Sequence, residues 1–164
     1  MWKRLQRFRK LDFAARRLFL RAVVLLPVIA LSLRLRGFVA TQTALQRFLS
    51  GGTTDRGKKS TDKNVCSTTA ASKEVGRTVR MVRAAADYGI GHPTCLEQSL
   101  ALWWLLGRQG IASSVRIGAH KAAGGFAAHA WVECDDIAVN EGDELHAHYA
   151  VFDAAFPAQQ SLLR

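Results

Sequence analysis

The feature that most constrains the fold is an apolar segment with a well-marked helical start. Thr94 is followed three residues later by Glu97, which is the capping box that commonly opens an α-helix. Leu96 and the run Leu100–Leu106 make the segment apolar on every side, so the helix must lie at the centre of the fold. Gly110 then provides a typical helix stop. The sequence therefore predicts one buried central helix around which the other elements pack.

Cys95 occupies the first position of that helix, where unpaired backbone amides and the helix dipole favour a negative charge. A cysteine in this place is expected to be reactive, because the thiolate is the nucleophilic form. The alternative is an ordinary buried cysteine, which is common in protein cores. The other cysteines are Cys66 and Cys134. An odd number without disulfide or zinc spacing predicts a reducing compartment, and hence a cytoplasmic protein.

Downstream of the helix the apolar residues recur with a period of two, which is typical of strands. Ile111–Ile117 predicts a first strand, Gly118–Gly125 a turn, and Phe126–Cys134 a second strand. Aspartates at 135 and 136 are a turn signal, and residues 137–140 predict a returning strand. This segment therefore predicts a small antiparallel sheet beside the central helix.

His129 lies on the second strand, and alternation places it on one face with a tryptophan and a glutamate. A strand histidine alone is more often structural, but together with Cys95 it forms a nucleophile and its general base. Such a base usually has a carboxylate or amide that orients it. Glu141, at the end of the returning strand, is the first choice for this role. Three other side chains are alternatives for this role: Asp136, Asn140 and Asp143.

Positive charge is concentrated in the first half of the chain. Residues 1–50 contain eleven Lys or Arg and one Asp, whereas residues 84–164 contain four basic and nine acidic residues. A basic region can bind nucleic acid or anionic lipid. The sequence contains none of the common nucleic-acid-binding motifs, so we do not expect nucleic acid to be a partner.

Ala22–Leu33 is a stretch of twelve uncharged residues within this basic region. A helix of that length reaches only about 18 Å, short of the roughly 30 Å hydrocarbon core of a membrane. Pro27 is expected to kink or divide it, and Phe38–Leu49 predicts a further short helix. A helix that docks on the protein core is favoured, with a membrane-surface helix and a signal or anchor as alternatives.

The composition suggests three parts. Residues 1–49 form a basic, apolar helical region that packs on the core, and residues 50–72 are too polar to bury and predict a flexible loop. Residues 73–164 form the core, which opens with a predicted helix over Glu74–Tyr88. His146 and His148 lie close together, but no further ligand supports a metal site, and no cofactor is expected.

The motifs of the core resemble those of a known family. They are Cys95-Leu96, Ser99–Ala112 with its Leu-Trp-Trp-Leu-Leu-Gly run, Arg116-Ile117-Gly118, and Gly125-Phe-Ala-Ala-His-Ala-Trp-Val-Glu133. In order and spacing this pattern resembles the lasso peptide leader peptidases, which are transglutaminase-like cysteine peptidases. The resemblance is specific over residues 94–141 and looser over residues 14–49.

The resemblance implies an α+β, transglutaminase-like or papain-like core in which the cysteine helix packs on a small antiparallel sheet. It implies cleavage of the leader from a lasso precursor peptide, with Cys95 as nucleophile, His129 as base and Glu141 at the family's aspartate position. The implied partners are the precursor, a separate leader-binding protein and a lasso cyclase; peripheral membrane contact stays open. The alternatives are an acyltransferase or amidase with another substrate, and a non-catalytic, membrane-associated binding module.

Overall fold

A computed structural model describes residues 12–50, 69–89, 91–122, 125–141 and 149–151. These ranges form three helices and four strands: α1 (Phe13–Ser50), α2 (Thr69–Tyr88), α3 (Cys95–Gly107), β1 (Ser114–Ala122), β2 (Gly125–Cys134), β3 (Ile137–Ala138) and β4 (Ala150–Val151). The strands make one sheet in the order β3-β2-β1-β4, and all three pairings are antiparallel. Helix α3 lies between this sheet and the layer formed by α1 and α2. The predicted α+β architecture is confirmed.

The buried face of α3 explains its central place. Leu100, Leu102 and Trp103 are at most 2% exposed, which agrees with a segment that is apolar on every side. From the other layer, α1 and α2 contribute a run of small and aliphatic side chains to the same core: Ala15, Leu18, Ala22, Leu26, Ile29, Val75, Met81, Val82 and Ala85. The burial of this apolar surface from both sides is the main force that holds helix and sheet together.

Helix α1 breaks at Gly37 and not at Pro27, so the predicted division at the proline was wrong. Gly37 has φ 75° and ψ −179°, a backbone conformation that glycine adopts without steric cost. The Thr41 hydroxyl donates to the Gly37 carbonyl at 2.8 Å and lies 2.9 Å from the Ser32 hydroxyl, so a side chain bridges the break. The predicted short helix at 38–49 is the second arm of α1.

The second helix begins earlier than the sequence predicted. Helix α2 begins at Thr69, so residues 69–72 of the predicted loop are helical, while residues 51–68 lie outside the described part of the chain. Val75 and Val82 are buried as the helical pattern predicted, and Thr78 and Met81 complete the inner face of α2.

Strand β1 begins later and ends later than predicted. Ile111 follows α3 and caps its C-terminal end, because its N–H donates to the Leu106 carbonyl at 3.0 Å. Gly110, just before it, has φ 77°. The strand then continues through Gly118, which the sequence placed in a turn. A Cβ at Gly118 would lie 2.9 Å from the Trp131 ring and 3.1 Å from the Ala150 carbonyl oxygen. The glycine thus allows close approach of neighbouring strands.

Candidate active site

The start of α3 has the geometry that the capping box predicted. The Thr94 hydroxyl accepts from the Glu97 N–H at 3.3 Å, and the Glu97 carboxylate accepts from the Thr94 N–H at 2.7 Å. Cys95 is the first residue of the helix and is a free, half-buried cysteine. Reciprocal capping fixes the direction of the first turn, and therefore the place where the thiol emerges.

Helix α3 meets β2 at a specific point on the edge of the strand. The Ser99 hydroxyl donates to the Ala130 carbonyl at 2.9 Å. Cys95 lies four residues before Ser99 on the same face of the helix, about 6 Å along its axis. Ala130 is the chain neighbour of His129, so helix α3 is bonded to β2 one residue from the histidine. No hydrogen bond joins Cys95 to His129 within the described residues.

Two of the predicted site residues are in direct contact. His129 Nε2 lies 3.1 Å from Glu141 Oε1, and the two side chains are 22% and 29% exposed. This contact restricts the orientation of the imidazole ring. It also leaves Nδ1 as the nitrogen available to another group.

Glu141 reaches His129 because the β2–β3 ladder is interrupted. The register pairs Glu133 with Ala138, so a continued ladder would pair Glu141 with Ala130 and direct its side chain to the face opposite His129. The ladder stops after the Val139 N–H donates to the Val132 carbonyl at 2.9 Å.

The Asn140 side chain supplies the next hydrogen-bond acceptor where the β2–β3 ladder stops. The Val132 N–H donates to Asn140 Oδ1 at 2.8 Å, so a side chain replaces the backbone acceptor. Asn140 is therefore bound to the strand and does not orient His129 directly. The residue after it, Glu141, is released from the strand register and contacts the histidine.

The remaining candidates for the third role have different positions. Asp136 is at the tip of the β2–β3 turn with φ 62°, and it lies next to the pair Cys134–Ile137. That is about 16 Å of strand from His129 at roughly 3.3 Å per residue, too far for contact. Asp143 lies outside the described residues. Within the described part of the chain, Glu141 is the carboxylate that contacts His129.

Aromatic rings surround His129, and the site predicted from the sequence did not include them. The His129 ring lies nearly parallel to that of Trp131, with 6.4 Å between centroids. Tyr149 approaches His129 at 5.6 Å and also contacts His120 at 4.7 Å. Gly118 pairs with both His129 and Val151. This pairing brings β4, and with it Tyr149, next to His129, and the sequence alone does not show it.

A buried carboxylate fixes the tryptophan. Glu133 is 5% exposed, accepts from Trp131 Nε1 at 2.8 Å and pairs with Arg116 Nε at 2.7 Å. Charge-assisted hydrogen bonds of this length are among the stronger ones in proteins. Glu133 therefore belongs to the support of the site, and the carboxylate in contact with His129 is Glu141.

The described residues contain no group of three His, Cys, Asp or Glu side chains placed to hold a metal ion. His146 and His148 lie outside the described ranges. The groups present at the site are a thiol at a helix N-terminus, an imidazole and a carboxylate, which are the groups of cysteine-dependent acyl transfer.

An α+β domain with a cysteine at the start of a buried helix and a histidine–carboxylate pair on the adjoining sheet has the architecture of a cysteine-dependent hydrolase or acyltransferase. The chain belongs to the transglutaminase-like superfamily, whose family model matches residues 29–153. No curated protein and no solved structure matches the chain. The superfamily part of the resemblance is therefore confirmed, and the superfamily suggests cysteine peptidase or acyltransferase activity. The lasso peptide part stays a prediction.

Proposed function

We propose that the protein is a cysteine peptidase that removes the leader from a lasso peptide precursor. The observation that carries the chemistry is the His129–Glu141 pair next to the strand position that receives the cysteine helix. The substrate class rests on the resemblance of the motifs over residues 94–141. Superfamily membership supports the chemistry at a coarser level.

The proposed roles follow from the geometry of the pair. Nε2 of His129 lies 3.1 Å from the Glu141 carboxylate, so we assign to Nδ1 the role of taking the proton from the Cys95 thiol. The backbone amide of Cys95, which the capping box does not use, is assigned to hold the negative oxygen that develops on the attacked carbonyl. Glu141 is thus a positioning residue, whereas Cys95 and His129 act on the substrate.

The reaction then proceeds in two steps. The Cys95 sulfur bonds to the carbonyl carbon at the leader–core junction, and the C–N bond breaks as His129 gives its proton to the leaving amine. This releases the core peptide with a free N-terminal amine and leaves the leader as a thioester. Water, deprotonated by His129, hydrolyses the thioester and restores the thiol.

The partners of this reaction come from the resemblance. We propose that a separate leader-binding protein delivers the precursor, and that a lasso cyclase joins the freed amine to an acidic side chain of the core. We place the reaction in the cytoplasm, because neither of the described cysteines, Cys95 and Cys134, takes part in a disulfide.

The proposal is tested by incubating the full chain with a precursor from its own genomic neighbourhood and its leader-binding protein. Mass spectrometry should show leader and core as separate products, and Cys95→Ala and His129→Ala should abolish both. Cys134→Ala is the matched control, since Cys134 is in no disulfide and is buried in the same core as α3. Undiminished cleavage by Cys95→Ala would refute the proposal.

The superfamily match also supports a second candidate, acyl transfer or amide hydrolysis with another substrate. The same mass measurement separates the two, because a transferase adds the mass of the acyl group to an acceptor amine. A non-catalytic module would show neither product. Its Cys95 would also fail to react with iodoacetamide faster than Cys134, as judged by peptide mapping.

A further inference from the structure

Helix α1 has two apolar faces, and only one of them is buried. Ala22 and Ile29, on the inner face, are at most 1% exposed. Large apolar side chains follow the outer face at helical steps of three, four or seven residues and are 56–79% exposed: Phe13, Leu20, Val24, Val28, Leu31 and Leu35. This outer stripe is about 33 Å long at 1.5 Å per residue. Continuous exposed apolar surface of this kind marks an interaction site.

The charges within helix α1 all have one sign. Residues 13–50 contain six arginines and no acidic residue. Arg16, Arg17 and Arg21 line an apolar groove along the stripe, and Arg108 of α3 lines its other side. Burial, together with the positive charges of Arg17 and Arg108, lowers the pKa of Arg21. Several cations gathered on an apolar surface fit an anionic partner.

A tryptophan lies in the same groove. Trp104 lines it beside Arg108, whose guanidinium lies 5.7 Å from the ring centroid. The indole Nε1 of Trp104 is buried and has no hydrogen-bond partner among the described residues. Tryptophan and arginine are the side chains that favour the boundary between lipid headgroups and acyl chains.

Helix α1 is long and apolar enough to cross a membrane by length and composition, in contrast to the twelve-residue stretch considered from the sequence. Its packing argues against a crossing. The inner face is buried against α2 and α3 from Ala15 to Leu45, and α2 carries Arg77, Arg80 and Arg83. A crossing would take these charges into hydrocarbon, which costs several kcal/mol for each.

We propose that the outer stripe of α1 docks the protein on an anionic lipid surface, with the helix in the plane of the membrane. The apolar side chains enter the headgroup boundary, and Arg16, Arg17 and Arg21 contact lipid phosphates. The matched family region begins at residue 29, so the basic half of the stripe precedes it. This docking is independent of the proposed peptidase activity.

The test uses the full chain and vesicle flotation. Vesicles are made of phosphatidylcholine alone, or of equal parts phosphatidylcholine and phosphatidylglycerol. We expect flotation with the anionic vesicles and little with the neutral ones. The double variant Arg17→Gln/Arg21→Gln should bind anionic vesicles about 30-fold more weakly, at roughly 1 kcal/mol for each cation near such a surface.

The apolar part of the contact is tested with Val24→Glu/Leu31→Glu, which should abolish flotation. Ile137→Glu is the matched control, because Ile137 is 64% exposed and Val24 65%, but Ile137 lies on the sheet. Flotation that Val24→Glu/Leu31→Glu leaves unchanged overturns the proposal. A second result also overturns it. If the wild type does not float but forms a dimer, and Val24→Glu/Leu31→Glu dissociates that dimer, the stripe binds a second copy of the chain.

Discussion

Replacement of Asn140 by alanine tests how the carboxylate reaches the histidine. Asn140 Oδ1 accepts the N–H of Val132 at 2.8 Å, and Val132 is fully buried. Removing the acceptor of a buried N–H costs about 1–3 kcal/mol. The contact between Arg83 and the Asn140 carbonyl is to the backbone and is kept in the variant. We therefore expect Asn140→Ala to lower the free energy of unfolding by about 2 kcal/mol.

Urea denaturation measures this loss directly. With a slope of about 2 kcal/mol per M, typical of a domain of this size, the midpoint should fall by about 1 M. Asn140→Asp retains an oxygen acceptor and should recover most of the difference. The pair of variants separates the hydrogen bond from the volume of the side chain.

The same variant should reduce kcat of the proposed leader cleavage under conditions in which the protein is fully folded, because Glu141 is no longer held beside His129. In a Glu141→Gln background, Asn140→Ala should cost little further activity, since both changes act on one contact. Equal midpoints for Asn140→Ala and wild type, or additive losses of activity, would refute the reasoning.

Two further substitutions test the support of the site. Gly118→Ala places a Cβ 2.9 Å from the Trp131 ring and 3.1 Å from the Ala150 carbonyl oxygen. This overpacking should cost about 1–3 kcal/mol of folding free energy and lower the melting temperature. An unchanged melting temperature would contradict the close approach. Glu133→Ala removes the carboxylate to which Trp131 and Arg116 donate. Because Arg116 is a quarter exposed, we expect a loss near the lower end for buried pairs, about 3 kcal/mol in urea denaturation; a loss below about 1 kcal/mol would show that solvent replaces the carboxylate.

The central helix and its cysteine could be predicted because local signals determine them. The capping box fixed the start of α3 at Cys95, and the all-round apolar residues fixed its burial. The alternation in β2 likewise placed His129, Trp131 and Glu133 on one face. Such features depend on residues at most four positions apart, so the sequence alone is sufficient to find them.

Features that depend on contacts between distant segments could not be predicted in the same way. Gly118 reads locally as a turn residue, and its role becomes visible only when Trp131 and Ala150 lie against it. The break in α1 falls at Gly37, where the hydroxyls of Ser32 and Thr41 meet across it, whereas Pro27 lies inside the helix. The prolonged strand β1 and the ring of Tyr149 near His129 follow from the pairing with β4.

The glutamate at position 141 departs from the aspartate that the resemblance leads one to expect, and the interrupted ladder offers a physical reason. In a regular strand, residue 142 would pair with His129, and the side chain of residue 141 would point to the other face. Asn140 binds Val132 through its side chain, so the backbone leaves the strand before that register is reached. A carboxylate that approaches from outside the ladder must span more distance than one opposite the histidine, and the additional methylene of glutamate provides it. On this reasoning Asn140 and Glu141 act as one unit, and Glu141→Asp should weaken the contact with His129 unless the ladder is also restored.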